Sequence, residues 1–346
     1  MELQAQMLAS RLHKRFRHLK KWALRTGAGA FRLYDRDIPE IPLVMDFYGD
    51  CQTEDAAICG ALYKRPYEKD AGDEEAWLCV MKESAAAALG IKPEHIFIKQ
   101  RRRKRGASQY EKMNTERFEK ITGEGGLAFK VNFSDYLDSG LFIDRRLLRA
   151  MVRSEAAGKK VLNLFSYTGS FSVYAAAGGA ASTDSVDLSN TYLNWARDNF
   201  SLNGFSAILL SRNGKEDRRI NTGRKCAHQL IRADVADFVE KAAAAKMRWD
   251  IIVLDPPAFS NSKKMTGCFD LSRDLTGLLN QCLTLLTPGA KIFLSVNMRR
   301  SAPSAAELEA TLKNVHVTDL GNKILDEDFK GKKIPKAFLL VNTVIP

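Results

Sequence analysis

The spacing of apolar residues changes along the chain, and each change predicts a different kind of element. Between Leu8 and Arg25 apolar residues recur every three or four positions among many basic ones, which predicts a basic amphipathic helix. Its apolar face consists of Leu8, Leu12, Phe16, Leu19 and Ala23. From Phe31 to Phe133 the pattern is shorter and interrupted by Asp and Pro, so strands and turns are favoured. Two of those strands are expected over His95–Lys99 and Leu127–Phe133.

From about Lys159 onward, strand patterns and helix patterns alternate. The predicted strands are Lys160–Leu164, Ser182–Val186, His228–Ala233, Trp249–Leu254 and Lys291–Val296. The predicted helices are Ser170–Ala177, Thr191–Asn203, Val235–Ala245 and a long helix that Asp270 caps and Pro288–Gly289 ends. Such alternation is typical of a parallel sheet with helices on both faces. Ala337–Ile345 is predicted as a last strand, at an edge of the sheet.

These patterns predict an α/β fold, with a Rossmann-like, doubly wound sheet that follows a smaller α+β N-terminal domain. The expected divisions are residues 1–30 for the basic helix, 31–130 for the small domain and 131–346 for the α/β domain. We expect the small domain to contact any nucleic acid partner.

Positive charge is the feature of the composition that bears most on the choice of partner. Lys and Arg outnumber Asp and Glu by 53 to 41, which gives a net charge of +12. That balance suits a polyanion, because cations neutralise phosphates and release counterions, although solubility alone is the simpler explanation. The clustering of the cations favours a polyanionic partner over solubility alone. Five consecutive cations that cannot pack in a core, and a later pair, are candidate phosphate contacts: Arg101, Arg102, Arg103, Lys104, Arg105, Lys263 and Lys264. A polar stretch between Ile208 and Ala227 is too long for a common loop and is predicted to be a basic insertion, with no chemistry assigned.

The six cysteines are scattered, without a CxxC pair or zinc-like spacing. We therefore expect a reduced, cytoplasmic protein without a metal site. No apolar run is long enough for a membrane span, and the first residues lack the pattern of a signal peptide.

In an open parallel sheet, ligands bind beyond the carboxyl ends of the strands, so we looked for chemistry there. The turn after the first predicted strand contains one glycine, Gly169, and the helix that follows favours a carboxylate at its N-terminus. The GxGxxG pattern is absent, which argues against a nicotinamide dehydrogenase. Asp187 and Asp234 end the second and third strands, where a carboxylate can accept hydrogen bonds from ribose hydroxyls or an amino group. Either could instead be a helix N-cap.

The fourth strand ends in Asp255, Pro256 and Pro257. Two prolines cannot continue a helix or a central strand, so they stiffen this turn and fix the direction of Asp255. Such a rigid ledge suits the edge of a planar base, and a simple strand terminator is the alternative.

At these strand ends the chain resembles the bacterial methyltransferases of large-subunit (23S) ribosomal RNA, most of all the guanine-N7 family. The resemblance rests on NLFSYTG and VDLS within residues 163–204, LDPPAF within 251–265 and FDLSRD at 269–274. It extends upstream to FRLYDRDIPE, FIKQRRRKRG and VNFSDYLDSGLFIDRR and so covers nearly the whole chain. Fused relatives carry an RNA-binding module and a second methyltransferase upstream. This sequence has neither, so its basic segments are expected to supply affinity for ribosomal RNA or a pre-ribosomal particle.

The resemblance implies a class I methyltransferase domain that binds S-adenosyl-L-methionine. On that basis the cofactor is held by Asn163, Phe165, Ser166, Tyr167, Thr168 and Gly169 at its methionine end, by Asp187 with Leu188 at the ribose, by Asp234 at the adenine, and by Tyr136, Phe142, Asp144 and Arg145 closing over it. Asp255, Pro256 and Pro257 would face the target base as the catalytic residues.

Which atom of the base is methylated can be predicted from whether the enzyme supplies a nucleophile. A sister family methylates cytosine C5 and needs a cysteine thiolate after the fifth strand, where this chain has Asn297. Guanine N7 carries a lone pair and no proton, so alignment alone suffices, and we expect direct in-line transfer without a covalent intermediate. Phe259 or Tyr167 would stack on the base. Two alternatives stay open: a cytosine-C5 enzyme that uses Cys268 or Cys282, and an RNA-binding assembly factor with a vestigial cofactor site.

Overall fold

The computed structural model describes residues 1–51, 55–65, 67, 69–100, 118–136, 138–210, 226–260, 269–298, 302–332 and 334–343. The chain forms two compact units. The first contains Met1–Ile143 with Asp326–Lys332, and the second contains Asp144–Leu325 with Lys333–Pro346. The N-terminal helix is therefore part of the first unit, and the chain leaves that unit after Ile143, beyond the boundary expected at residue 130.

The first unit combines a mixed sheet with two long helices. Its elements are α1 (Glu2–Thr26), β1 (Ala30–Asp35), β2 (Leu43–Tyr48), β3 (Ala57–Leu62), α2 (Ala71–Leu89), β4 (Ile96–Gln100), β5 (Glu119–Glu124) and β6 (Leu127–Asn132). The sheet order is β1-β2-β3-β4, in which the first three strands are antiparallel neighbours and β4 runs parallel to β3. Strands β5 and β6 form a separate antiparallel pair. The predicted α+β architecture of this region matches these elements.

Helix α1 packs its apolar face onto the sheet and onto α2. Leu8, Leu12 and Leu19 have no exposed surface, which confirms the predicted amphipathic helix. Helix α2 contradicts the expectation of strands and turns throughout Phe31–Phe133. Its signals were present: Asp70 accepts hydrogen bonds from the first-turn backbone, and the apolar residues from Trp77 onward are spaced for one helix face.

The second unit is a three-layered α/β structure around one large sheet. Its elements are α3 (Arg146–Glu155), β7 (Lys160–Leu164), α4 (Ser170–Ala177), β8 (Ser182–Asp187), α5 (Asn190–Leu202), β9 (Ala207–Leu210), β10 (His228–Arg232), α6 (Val235–Ala244), β11 (Trp249–Leu254), β12 (Phe259–Ser260), β13 (Phe269–Asp270), α7 (Leu271–Leu283), β14 (Leu286–Val296), α8 (Ala305–Thr311), β15 (Val315–Asp319) and β16 (Lys336–Asn342). All five predicted parallel strands are confirmed, as β7, β8, β10, β11 and β14.

The order of the large sheet is β15-β16-β14-β11-β7-β8-β10-β9. The six strands from β14 through β11, β7, β8 and β10 to β9 run parallel to one another, whereas β16 is antiparallel to both β14 and β15. The chain starts at β7 in the middle of the sheet, builds outward on one side through β8 and β10, and returns to the other side through β11 and β14. The switch point between β7 and β11 is where a doubly wound sheet opens a crevice for a ligand.

Two predictions at the end of this unit were wrong. The last strand, β16, is not an edge strand, because the unpredicted strand β15 pairs with its outer side. The long helix ends at Leu283 and not at Pro288–Gly289, and Leu286 begins strand β14. The apolar residues near Leu286 fit a buried strand as well as they fit the apolar face of a helix. Periodicity alone therefore could not distinguish the end of the helix from the start of the strand.

Candidate functional site at the carboxyl ends of the strands

The loop after β7 has an unusual backbone. Phe165 and Tyr167 have φ angles of 55° and 51°, and Gly169 has 74°. Non-glycine residues seldom adopt left-handed conformations, and two in one short loop store strain that the surroundings must hold in place. Strain of this kind is concentrated at ligand-binding sites.

The carboxylate of Asp187, at the end of β8, holds this loop in place. The Tyr167 backbone N–H donates to Oδ2 at 2.9 Å, and the Ser189 N–H donates to Oδ1 at 2.8 Å. Burial raises the pKa of Asp187 to about 6, although the backbone N–H groups of Ser189, Tyr167 and Leu188 favour its charged form. One carboxylate thus joins the ends of two adjacent strands. Its two oxygens offer about four lone-pair sites, and three backbone donors leave at least one of them for a ligand.

Gly169 allows helix α5 to approach closely. A Cβ at this position would lie 2.8 Å from the Cβ of Ala196, and the positive φ angle also favours glycine. A glycine in a strand-to-helix turn also lets the backbone approach a ligand. The structure adds that its missing side chain lets α5 pack behind the loop.

Two of the predicted cofactor residues are buried and act within the protein. Asn163 donates from Nδ2 to Ser172 Oγ at 2.9 Å, and the backbone carbonyl of Thr168 accepts from Asn199 at 2.9 Å. Asn163 and Thr168 are each 1% exposed. Ser166 differs, because its buried Oγ has no hydrogen-bond partner among the described residues. A buried hydroxyl without a partner is costly and marks a place where a polar ligand group would be accommodated.

Aromatic rings line both flanks of the loop. Tyr167 meets Tyr192 edge to face, with ring centroids 4.5 Å apart, and Phe165 lies 5.3 Å from Phe269. These contacts hold the two left-handed residues, and they provide an apolar surface beside the polar groups.

Asp234 follows β10 and is the N-cap of α6. Its Oδ1 accepts from the backbone of Ala236 at 2.9 Å and of Asp237 at 3.4 Å. The helix-cap interpretation is therefore confirmed. Both cap hydrogen bonds use Oδ1, so Oδ2 is not needed for the cap and could accept from the adenine amino group.

A buried ion pair at the end of β11 was not predicted as a pair. Arg145 donates from Nε and Nη2 to the two oxygens of Asp255, each at 3.1 Å, and from Nη1 to Asp144 at 2.6 Å. The side chains of Arg145 and Asp255 are 8% and 14% exposed. Burial lowers the pKa of Arg145, but the two carboxylates raise it more, and the net shift is upward. Arg145 and Asp144 therefore engage the protein, and Asp255 is fixed by a two-point contact.

The residues after Asp255 form the rigid ledge. Pro256 is buried and Pro257 is half-buried, whereas Phe259 in β12 is 53% exposed. Strand β12 pairs with β13, immediately before helix α7. An exposed aromatic ring therefore follows a stiff, buried turn.

The fifth strand ends without a nucleophile. Asn297 follows β14 and is exposed, and Ser295 is buried within the strand. Cys282 has no exposed surface, and burial raises the pKa of its thiol to about 12. A thiol in that setting is inert.

Tyr136, Phe142 and Leu188 are the remaining described residues of the predicted cofactor set. Tyr136 and Phe142 belong to the first unit, where the Tyr136 carbonyl accepts from Lys99 and Phe142 is 38% exposed. Leu188 is half-buried beside Asp187. Outside the described residues lie the predicted RNA contacts Arg101, Arg102, Arg103, Lys104, Arg105, Lys263 and Lys264, the alternative nucleophile Cys268, and most of the basic insertion.

Within the ranges given above, no group of three or more His, Cys, Asp or Glu side chains could hold a metal ion. No helix in those ranges is both long and apolar enough to cross a membrane.

The sheet order, the loop after β7 and the carboxylate after β8 define a Rossmann-like, class I methyltransferase fold. Residues 59–324 match the family model described as S-adenosylmethionine-dependent methyltransferase, and the chain belongs to that family. S-adenosyl-L-methionine is accordingly its cofactor.

Relatives of similar sequence carry more specific names. Ribosomal RNA large subunit methyltransferase K of Neisseria meningitidis is 43% identical over 95% of this chain and 85% of its own length. Ribosomal RNA large subunit methyltransferase K/L of Methylococcus capsulatus is 40% identical over 94% of this chain. The chain spans 41% of that second protein, so it corresponds to less than half of the K/L relatives.

Solved structures agree on the fold. SMU.776 complexed with SAH superposes with a TM-score of 0.70 at 22% identity, over 97% of this chain and 81% of that one. The SAM-dependent methyltransferase of Agrobacterium tumefaciens superposes with a TM-score of 0.56 at 18% identity, over 87% and 88% of the two chains. At these identities the likeness concerns the fold alone.

Proposed function

We propose that this enzyme methylates N7 of a guanine in large-subunit ribosomal RNA, by direct transfer from S-adenosyl-L-methionine. The substrate class comes from the 43% identical relative that is named for ribosomal RNA. The observation that carries the chemistry is the bidentate contact between Arg145 and Asp255. It occupies the one carboxylate on the ledge, so this carboxylate is not placed to remove a proton, and guanine N7 has none to remove.

The cofactor is assigned to the strand ends of the second unit. Asp187 would accept the ribose hydroxyls, beside Leu188, and Asp234 would accept from the adenine amino group. The strained loop of Phe165, Ser166 and Tyr167 would hold the methionine end. The buried Ser166 hydroxyl and the acceptor capacity of Asp187 support this assignment. Asn163, Thr168 and Gly169 would keep that loop in shape.

The methyl transfer needs alignment and little else. As N7 forms its bond to the methyl carbon, the carbon–sulfur bond breaks and its electron pair stays on sulfur. The positive charge moves to the base, and S-adenosylhomocysteine leaves. Holding N7, carbon and sulfur in line supplies a large effective molarity. Asp255, Pro256 and Pro257 would position the guanine edge, with the exposed ring of Phe259 stacked on the base.

The cytosine-C5 alternative requires a thiolate next to the base. Cys282 does not meet that requirement, because it is fully buried with a raised pKa. Replacing Cys268 by alanine tests the remaining candidate, and full retained activity removes this alternative. The assembly-factor alternative is tested by calorimetry with S-adenosyl-L-methionine. Micromolar binding together with turnover excludes it.

Nucleoside analysis tests the whole proposal. Ribosomal RNA from a deletion strain should lose one 7-methylguanosine, and purified enzyme with labelled cofactor should restore it on that RNA. Unchanged 7-methylguanosine in the deletion strain, or label in 5-methylcytidine, contradicts the proposal. Free RNA and isolated precursor particles are assayed side by side, because either could be the substrate. Action on ribosomal RNA also implies a cytoplasmic location.

A further inference from the structure

The structure distinguishes cations of helix α1 that bond to other described residues of the protein from exposed ones that do not. Arg11 forms an ion pair with Asp37 at 2.8 Å, and Arg15 donates to the carbonyl of Asp328 at 2.9 Å. These two side chains attach the helix to its own unit. The two contacts account for both positive charges without a partner molecule.

The second set lies on the exposed face of the same helix. Lys14, Arg17, Lys21 and Arg25 are all exposed, and none of them forms an ion pair or hydrogen bond with the described residues. We refer to these four residues as the α1 stripe. At 100° per residue they fall within an arc of about 80°, and they extend over about 16 Å along the helix axis.

No acidic residue offsets the charge of this stripe from within the helix. The only carboxylate in α1 is Glu2, in the first turn. Like charges three and four residues apart repel each other, and acids at that spacing would relieve the repulsion. Arg25, in the last turn, is favoured there by the helix dipole, but the dipole does not explain the other three.

The opposite face of α1 shows that the helix is held in place with the stripe outward. Leu8, Leu12 and Leu19 have no exposed surface, and Trp22 and Ala23 are also buried. A basic amphipathic helix can bind a membrane only if its apolar face is free to enter the lipid. Here that face is used by the core of the first unit, although Leu3 and Met7 are exposed near the N-terminus.

We propose that the α1 stripe binds the phosphate backbone of the substrate RNA. The proposal rests on the proposed function, which supplies a polyanionic substrate, and it assigns a contact surface for that substrate. A rigid row of unpaired cations neutralises phosphates without reading bases, and the release of their counterions drives binding. The stripe therefore contributes affinity and orientation to the substrate complex, whatever the sequence at the methylated site.

The test compares two variants with equal loss of charge. The first is K14Q/R17Q/K21Q/R25Q, in which glutamine keeps a good helix propensity. The control is K159Q/K241Q/K313Q/K323Q, whose four lysines are exposed and form no ion pair with the described residues of the second unit. Filter binding to unmodified large-subunit ribosomal RNA is measured from low salt to about 0.3 M for both variants and the wild type.

The stripe variant should lose about three units from the slope of log affinity against log salt, because each phosphate contact contributes about 0.7 to 0.9. Its KM for RNA should rise at least tenfold near physiological salt, whereas kcat at saturating RNA and the Kd for S-adenosyl-L-methionine should stay within twofold. The melting temperature should not fall. The control should keep the wild-type slope within one unit.

Equal slopes for the two variants overturn the proposal. A stripe variant that loses binding to phosphatidylserine vesicles but keeps its RNA affinity also overturns it, in favour of a membrane surface. Filter binding requires no methyl transfer. Failure of the wild-type enzyme to form 7-methylguanosine on this RNA would therefore defeat the proposed function, while the slopes would still decide whether the stripe binds RNA.

Discussion

Arg145 holds both oxygens of Asp255, with its Nε and Nη2 atoms each at 3.1 Å. The two residues are 110 positions apart, and the contact fixes the ledge at the end of β11 to the segment that leads into α3. Because both side chains are largely buried, the direction of the Asp255 side chain is set before any substrate arrives.

Replacing Arg145 should separate positioning from folding. Arg145→Ala leaves Asp255 buried without its cation, which costs about 3 to 5 kcal/mol of stability. Arg145→Lys keeps the charge but not the two-point contact, so it should fold better than the alanine variant. We expect kcat of the lysine variant to fall more than tenfold, with a smaller change in the Kd for the cofactor.

Thermal unfolding and single-turnover transfer measure the two effects. The matched control is Arg273→Lys, because Arg273 pairs with Asp274 at the surface, with its side chain 64% exposed. A surface pair contributes little, so this variant should behave as wild type. If Arg145→Lys retains full kcat, the contact is structural only.

Phe259 should matter for the RNA and not for the fold. Its ring is 53% exposed, so Phe259→Ala removes little buried surface. Base stacking on an aromatic ring is worth about 1 to 3 kcal/mol, and we expect kcat/KM for RNA to fall about 5- to 150-fold. Phe259→Trp should retain most activity. Leu202→Ala, at another exposed apolar position that is 38% exposed, is the control, and an equal effect of both alanine substitutions would argue against stacking.

The strand ends could be predicted from the sequence because each depends on local signals. Asp255 follows the apolar run of β11, and Asp187 ends the short strand β8 between two helix patterns. The parallel alternation then places those ends at one edge of the sheet. The helix-cap role of Asp234 was likewise visible as one of two possibilities.

The contacts that give the site its shape could not be predicted in the same way. No pattern in one sequence links Arg145 to Asp255, because their pairing depends on how distant segments pack. The left-handed angles of Phe165 and Tyr167 also leave no trace, since neither residue type favours them. Strand β15 was missed, and its absence from the prediction placed β16 wrongly at the edge.

Gly169→Ala should destabilise the loop for two separable reasons. The new Cβ would lie 2.8 Å from the Cβ of Ala196, and the φ angle of 74° is strained for any side chain. We expect a loss of about 1 to 3 kcal/mol of stability and a weaker Kd for the cofactor. Adding Ala196→Gly removes the clash but not the strain, so the double variant should recover only part of the lost stability. Denaturant unfolding of both single variants and the double variant completes the cycle, and exact additivity would show that the close approach is unimportant.

Cofactor affinity should depend on pH through Asp187. Burial raises its pKa to about 6, so the carboxylate is charged at pH 7.5 and mostly protonated at pH 5. The charged form keeps an acceptor site for a ribose hydroxyl beside its three backbone donors, whereas the protonated form has lost one acceptor site. Affinity for S-adenosyl-L-methionine should therefore fall about tenfold between pH 7.5 and pH 5, and binding near pH 6 should release protons. The pH dependence of folding stability has the opposite sign. Because the pKa of Asp187 is raised in the folded state, its contribution to stability increases as the pH falls through 6.

Asp187→Asn should bind the cofactor weakly at every pH and lose the pH dependence, as measured by calorimetry in buffers of different ionisation enthalpy. A wild-type affinity that is flat from pH 5 to 7.5, or an asparagine variant with the same profile, would show that Asp187 does not hold the ribose.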